Sequence, residues 1–112
     1  MTPNQVLSSK NAKEAATRFA EWLRAQVLEI GYSTKQIFLW SPQETQERGW
    51  GSGWSVCWEE GPFEWTSITG GSTLYAGETG SYSTPGPFPQ GLSTHDWMAE
   101  CYNSFVLNFH DQ

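Results

Sequence analysis

Two histidines, each followed by an acid, are the side chains of this protein best suited to general-base chemistry. They are His95 before Asp96 and His110 before Asp111. A catalytic dyad needs the carboxylate within hydrogen-bond reach of the imidazole, whereas neighbouring residues of a strand point to opposite faces. The sequence therefore favours two surface histidines, and an enzyme with a histidine base is the third hypothesis for the function.

The two cysteines, Cys57 and Cys101, could form a disulfide, hold a metal together with a histidine, or stay reduced. No Cys-x-x-Cys spacing is present, which gives little support to a zinc site. The first residues lack the hydrophobic core of a signal peptide, and disulfides are rare in the cytoplasm. We therefore expect a cytoplasmic protein with reduced, buried cysteines and neither a metal nor a cofactor.

Three glycines, Gly49, Gly51 and Gly53, form a Gly-x-Gly-x-Gly pattern. Phosphate-binding loops have different spacings, and a lysine follows the glycines in the Walker sequence but not here. Ser52 is not a nucleophile elbow either, because tryptophans stand where Gly-x-Ser-x-Gly requires glycines. We expect these glycines to leave one face of a strand without large side chains rather than to bind a nucleotide.

Large apolar residues alternate with small or polar ones over residues 50–60, which predicts a strand. Trp50, Trp54, Val56 and Trp58 would share one face. Such a row could stack on sugar rings or bases, but it could also form the core beneath a helix. We expect Trp54 and Trp58 to lie in the core and Trp50 to reach solvent.

Charge is divided unevenly along the chain, which has a formal net charge of −6 from 12 acids and 6 Lys or Arg. All six cations precede Gly49. From Gly49 to Gln112 there is no Lys or Arg, and the seven acids are Glu59, Glu60, Glu64, Glu78, Asp96, Glu100 and Asp111. This segment of formal charge −7 is unsuited to direct binding of nucleic-acid backbone or anionic membrane, both of which need cations on the protein.

Part of that negative charge falls on a predicted hairpin. The turn signal Gly61-Pro62 separates the strand over residues 50–60 from a returning strand over residues 63–69. This pairing sets Glu59 opposite Glu64, with Glu60 at the turn, and like charges opposed across strands destabilise the free protein. A cationic partner would relieve that repulsion. The alternative is that hydrated glutamates keep an aromatic-rich protein soluble.

The elements that position these residues begin with a helix. Residues 10–30 carry apolar side chains at spacings of three and four, the stripe of an amphipathic helix. Ser8, Ser9 or Asn11 can cap its start, with Asn11 and Glu14 in a capping-box-like spacing, and Gly31 is well placed to end it. Residues 37–40 predict a buried strand, and residues 41–49 predict either one or two helical turns or a polar loop.

The remaining residues complete one predicted domain over residues 1–112. Residues 72–93 form a Gly/Ser/Pro-rich loop, and residues 96–109 form one strand or two short ones bent near Asn103 and Ser104. With the sheet spanning 36–69 and 96–109, the fold class is α+β. The N-terminal helix packs on one antiparallel sheet of four to five strands.

The leading functional hypothesis is a non-enzymatic module or inhibitor that docks on a basic protein surface, such as a nucleic-acid-binding one. The predicted partner-binding residues are Glu59, Glu60, Glu64, Glu78, Glu100 and Trp50. In size and acid balance the chain is similar to small phage-encoded inhibitors of bacterial defence, such as anti-CRISPR proteins, although no residue motif carries that similarity. The similarity implies mimicry or occlusion of nucleic acid, within the cytoplasm of a host cell.

A second hypothesis assigns the protein to carbohydrate or small-ligand binding. It would use exposed aromatic residues around the Gly/Ser/Pro-rich loop, namely Trp50, Tyr75, Tyr82 and Phe88.

Overall fold

The computed structural model of the protein describes residues 1–29, 31, 33–58, 88, 91–103 and 106–112. The elements within these residues, in chain order, are α1 (Pro3–Leu7), α2 (Ala12–Glu29), a 3-10 turn (Thr34–Gln36), β1 (Ile37–Trp40), α3 (Pro42–Arg48), β2 (Trp54–Trp58), β3 (Trp97–Asn103) and β4 (Val106–Asp111). No helix in this part of the chain is long and apolar enough to cross a membrane.

The predicted N-terminal helix is confirmed as α2, which begins two residues later than expected. The Asn11 side chain accepts a hydrogen bond from the Glu14 backbone N–H at 2.9 Å, as its spacing predicted. The short helix α1 was not predicted. Its signals are present in the sequence, because Thr2 and Gln5 form a capping box around Pro3 at the first helical turn.

The strands form one antiparallel sheet in the order β1-β2-β4-β3. Residues 96–109 contain two strands rather than one, and the second of them lies beside β2 in the centre of the sheet. Val56 pairs with Leu107 and Trp54 with Phe109. The α+β class and the antiparallel sheet are therefore confirmed, whereas the predicted hairpin to residues 63–69 lies outside the described residues.

The main core lies between α2 and one face of the sheet. Phe19 is at its centre, with ring centroids 5.7 Å from Trp22 and 5.8 Å from both Phe88 and Phe109. Phe19, Phe88 and Phe109 are fully buried, and burying one such side chain contributes about 1.5–3 kcal/mol. Trp58 is also buried, as predicted, whereas Trp54 is half-buried at the edge of this core.

The start of β3 and the end of β4 form hydrogen bonds with the junction between α1 and α2. The Trp97 indole N–H donates to the Ser9 carbonyl at 3.0 Å, inside the core. Asp111, which pairs with Trp97 across the β3–β4 ladder, accepts a hydrogen bond from the Ala12 backbone N–H at 2.7 Å. A donor at the start of α2 is thus satisfied by a carboxylate at the end of β4, where the helix dipole favours negative charge.

Candidate functional site

The sheet face opposite α2 carries a different set of contacts. Its small buried cluster consists of Trp40, Cys57 and Val106, with Phe38 and Trp50 half-buried against it. Helix α3 lies on this face, which confirms the helical alternative for residues 41–49. This face holds the described residues that the sequence singled out for partner binding, and it is the candidate site.

Helix α3 is defined at both ends by local hydrogen bonds. Ser41 and Glu44 form a reciprocal capping box, and Gly49 ends the helix in the left-handed conformation at φ 73°. The hydrogen bond from the Ser41 backbone N–H lowers the pKa of Glu44, and the Ser41 side chain and the positive charge of Arg48 act in the same direction. The sequence signals for α3 are therefore all local, although they did not exclude a loop.

A buried pair of hydroxyls attaches α3 to the sheet. The Thr45 hydroxyl donates to the Ser41 carbonyl at 2.8 Å and lies 2.7 Å from the Ser55 hydroxyl on β2. Because the single Thr45 proton is used for Ser41, Ser55 is the donor in the second bond. Both Thr45 and Ser55 are fully buried, so the Ser55 hydroxyl depends on Thr45 as its acceptor, while Thr45 also has the Ser41 carbonyl.

The predicted strand over residues 50–60 is confirmed for residues 54–58, which form β2, and is wrong for residues 50–53, the glycine-rich segment between α3 and β2; residues 59 and 60 lie outside the described residues. Gly51 has φ 103° and Gly53 has φ 74°, and these values take the chain out of the extended conformation before β2 begins at Trp54. A Cβ on Gly51 would collide with the Asn108 side chain, and one on Gly53 would collide with the Phe109 carbonyl oxygen. The glycines allow this segment to lie directly on β4. They do not reduce the side chains on one face of a strand, which was the expectation.

This path changes the position of Trp50. The alternation predicted that Trp50 would share a face with Trp54 and Trp58, but it packs with the cluster on the opposite face. Its carbonyl accepts a hydrogen bond from the Asn108 side chain at 3.0 Å. Alternate residues share a face of the sheet only where the backbone is continuously extended. The positive φ values of Gly51 and Gly53 interrupt the extended backbone between Trp50 and Trp54.

A groove of about 540 Å³ opens beside this cluster, and Phe38, Trp40, Glu47, Arg48 and Trp50 line it. The Phe38 and Trp40 rings are stacked, with centroids 5.4 Å apart and an angle of 23° between their planes. The Arg48 guanidinium carbon lies 4.3 Å from the Trp40 ring centroid, within the range of a cation–π interaction. Arg48 was not among the predicted binding residues, although the sequence places it four residues after Glu44 on the predicted short helix.

Of the six predicted partner-binding residues, the structure places Trp50 and Glu100 on this face. Glu100 is exposed on β3 and pairs in register with Asn108, the residue that donates to the Trp50 carbonyl. Tyr102 follows on the same face of β3 and is 51% exposed. The other four predicted residues, Glu59, Glu60, Glu64 and Glu78, lie outside the described residues.

Neither His-Asp sequence pair forms a dyad. The Asp111 carboxylate caps α2 on one face of the sheet, while His110 lies on the other face against Gly53. His95 and Asp96 are both exposed. The separation of His110 from Asp111 agrees with the expectation that adjacent residues of a strand point to opposite faces, whereas His95 and Asp96 precede β3.

The cysteines lie on opposite faces of the sheet, and neither is in a disulfide. Cys57 is buried in the small cluster opposite α2, as predicted, whereas Cys101 is half-buried against the main core. The Cys101 thiol donates to the Asn103 carbonyl. Among the described residues, no group of three or more His, Cys, Asp or Glu is arranged to hold a metal ion.

The ligand-binding hypothesis needs one correction. Phe88 was expected to be an exposed aromatic residue, but it is fully buried in the main core, where its ring centroid lies 5.1 Å from that of Trp22. Burial against two aromatic rings of α2 removes it from any surface site. Trp50 remains available at the groove, and Tyr75 and Tyr82 lie outside the described residues.

Comparison with known proteins gave no family: no protein-family model, no curated protein and no solved structure matches this chain.

Proposed function

We propose that this protein is a non-enzymatic binding module that docks on a basic protein surface through its acidic segment, residues 49–112. The observation that carries the proposal is the separation of charge. The segment has seven acids and no Lys or Arg, and all six cations precede it. Interfaces of this kind guide association because opposite potentials on the two partners steer their encounter.

The described residues support this proposal through the surface around β3. Glu100 and Tyr102 are both exposed there, two residues apart on the same face of the strand. An acid beside an exposed aromatic ring suits a partner lysine or arginine, because the acid attracts the charge and the ring packs on the alkyl chain or the guanidinium. Trp50 extends this surface through its hydrogen bond with Asn108.

The partner class follows from the same chemistry. Proteins that bind nucleic acid present arrays of Lys and Arg to the phosphates. An acidic protein that covers such an array would block nucleic acid by competition. We therefore propose an inhibitor that occludes or mimics nucleic acid, of the kind encoded by phages against bacterial defence, acting in the cytoplasm of the host cell.

The test begins with affinity capture from a cell extract and identification of the captured protein. Binding of the purified partner is then measured by calorimetry at two salt concentrations. The triple variant Glu59→Gln, Glu60→Gln and Glu64→Gln should lose about tenfold in affinity and show a weaker salt dependence. Glu100→Gln should lose about two- to fivefold.

The matched control is Glu29→Gln, which removes an exposed glutamate from the last turn of α2 and should leave binding unchanged. Adding the partner's nucleic acid should displace the protein. The proposal is overturned if the captured partner has no basic surface, or if the triple variant and Glu100→Gln bind as tightly as the unaltered protein.

A further inference from the structure

Arg48 presents a guanidinium group to the groove, and no carboxylate of the described residues lies within 4.0 Å of it. Among the described residues, the one ion pair within 4.0 Å joins Arg18 and Glu14 on α2. Arg48 is exposed, and its guanidinium carbon lies 4.3 Å from the Trp40 ring centroid. No residue in the part of the chain that the structure describes accepts a hydrogen bond from the Arg48 N–H groups, so these donors are available to a ligand.

A guanidinium group with free N–H donors favours an oxyanion as its ligand. Its N–H donors form a rigid fork that matches the two oxygens of a carboxylate, or two oxygens of a phosphate. The net charge of −6 and the nearby carboxylates of Glu44 and Glu47 favour the anion of lower charge. The groove is therefore better suited to a carboxylate than to a phosphate.

The walls of the groove indicate what the carboxylate is attached to. Phe38 and Trp50 are half-buried and line the same groove, and flat aromatic surfaces pack well on the apolar face of a sugar ring. The Glu47 side chain also lines the groove, and its carboxylate can accept hydrogen bonds from ligand hydroxyls. The volume of about 540 Å³ is within the range of sites for small ligands.

We propose that this groove binds a hexuronic acid residue of a saccharide, with Arg48 on the carboxylate, Phe38 and Trp50 on the ring, and Glu47 on a hydroxyl. This site is separate from the proposed docking of a basic protein, with which it shares Trp50. A neutral sugar would lack the partner for Arg48. An aromatic acid would lack the hydroxyls for Glu47.

The proposal is tested by titrating the protein with a glucuronic acid disaccharide, the matching glucose disaccharide, and benzoate, observed by heteronuclear NMR. We expect the uronic acid to bind with a dissociation constant of about 1 mM and to shift signals of Arg48 and the Trp50 indole. The glucose disaccharide and benzoate should each bind at least about tenfold more weakly.

Two variants assign the effect to Arg48. Arg48→Gln should weaken uronic acid binding to the level of the neutral sugar, and Arg48→Lys should restore only part of it, because lysine keeps the charge but not the fork. Lys10→Gln removes an exposed cation at the far end of α2 and should have no effect. A thermal melt by circular dichroism verifies that each variant is folded.

The proposal fails if the uronic acid produces no shift at 10-fold above the expected dissociation constant of about 1 mM. It also fails if glucose or benzoate binds equally well, or if folded Arg48→Gln retains full affinity. Loss of protein docking in Glu100→Gln would leave these outcomes unaffected, so the two proposals are tested independently.

Discussion

The two faces of the sheet are built differently. On one face, an 18-residue helix buries large apolar side chains, including Phe19, Phe109 and Trp97. On the other, a seven-residue helix is attached through a pair of hydroxyls, and a glycine-rich segment lies directly on β4. Hydrophobic burial is non-directional and tolerates adjustment, whereas hydroxyl pairs and close backbone contacts demand one geometry. The first face therefore supplies stability, and the second fixes the positions of half-exposed aromatic rings.

The largest effect is expected on the α2 face. Phe19→Ala should reduce the free energy of unfolding by about 3–5 kcal/mol, because it leaves a cavity among three aromatic rings. Urea unfolding followed by circular dichroism measures this change. Phe19→Leu, which keeps most of the volume, should cost clearly less. A loss below about 1 kcal/mol for the alanine variant would show that this face is not the main source of stability.

The next largest effect concerns two glycines on the opposite face, Gly49 and Gly51. Both have positive φ, but only Gly51 lies in close contact with a neighbouring strand. Gly51→Ala should cost more than about 2 kcal/mol, because φ is positive and the new Cβ would collide with Asn108. Gly49→Ala should cost about 1 kcal/mol, since Gly49 also has positive φ but has open space around its Cβ position. Equal losses in urea unfolding would contradict the close approach of this segment to β4.

A smaller effect is expected from the hydroxyl pair. Thr45→Val should reduce the free energy of unfolding by about 1–3 kcal/mol, because it leaves the buried Ser55 donor without its acceptor. Adding Ser55→Ala to Thr45→Val should recover part of that loss, because it removes the buried Ser55 hydroxyl that has lost its acceptor. A double-mutant cycle with no coupling between Thr45 and Ser55 would refute their hydrogen bond.

The smallest effect concerns the exposed cap of α3. The pKa of Glu44 should lie below the usual glutamate value in an NMR titration, and Ser41→Ala, which removes the hydroxyl but keeps the backbone N–H, should raise it only part of the way towards that value. Because the folded pKa is lowered, the stabilisation by this carboxylate is complete above the unfolded pKa and is lost as pH falls through the folded pKa. A Glu44 pKa at the usual glutamate value in the unaltered protein would contradict the capping box, and an unchanged pKa in Ser41→Ala would show that the hydroxyl does not contribute to the shift.

The sequence predicted helix α2 well because apolar periodicity locates it. Asn11 was one of three predicted caps, and its spacing of three from Glu14 matches the hydrogen bond observed. The same local signals were sufficient for α1, at Thr2 and Gln5, although they were not recognised. Burial of Trp58 also followed from the need of a helix for an apolar sheet face.

The opposite face could not be predicted in the same way. The side on which Trp50 lies depends on positive φ at Gly51 and Gly53, which alternation of residue types does not reveal. Arg48 contacts the Trp40 ring of β1 because α3 turns the chain back over that strand. The α2 face also holds a residue that the sequence misplaced, since Phe88, in a segment rich in turn-forming residues, is buried through tertiary contacts with α2. Trp50 and Phe88 are placed by contacts with residues distant in the sequence, which local patterns do not reveal.

The hydrogen bond between Asp111 and Ala12 spans 99 residues of sequence, and it has a consequence for how the chain folds during synthesis. Helix α2 leaves the ribosome before the strands of its sheet, and neither the Asp111 acceptor for Ala12 nor the complete central strand β4 exists until residue 111 has been translated. Until then the apolar stripe of α2 has no complete sheet to cover. Contacts of such long separation slow folding and leave apolar surface exposed to other chains. Synthesis of this protein therefore passes through an aggregation-prone stage that ends only when β4 is complete.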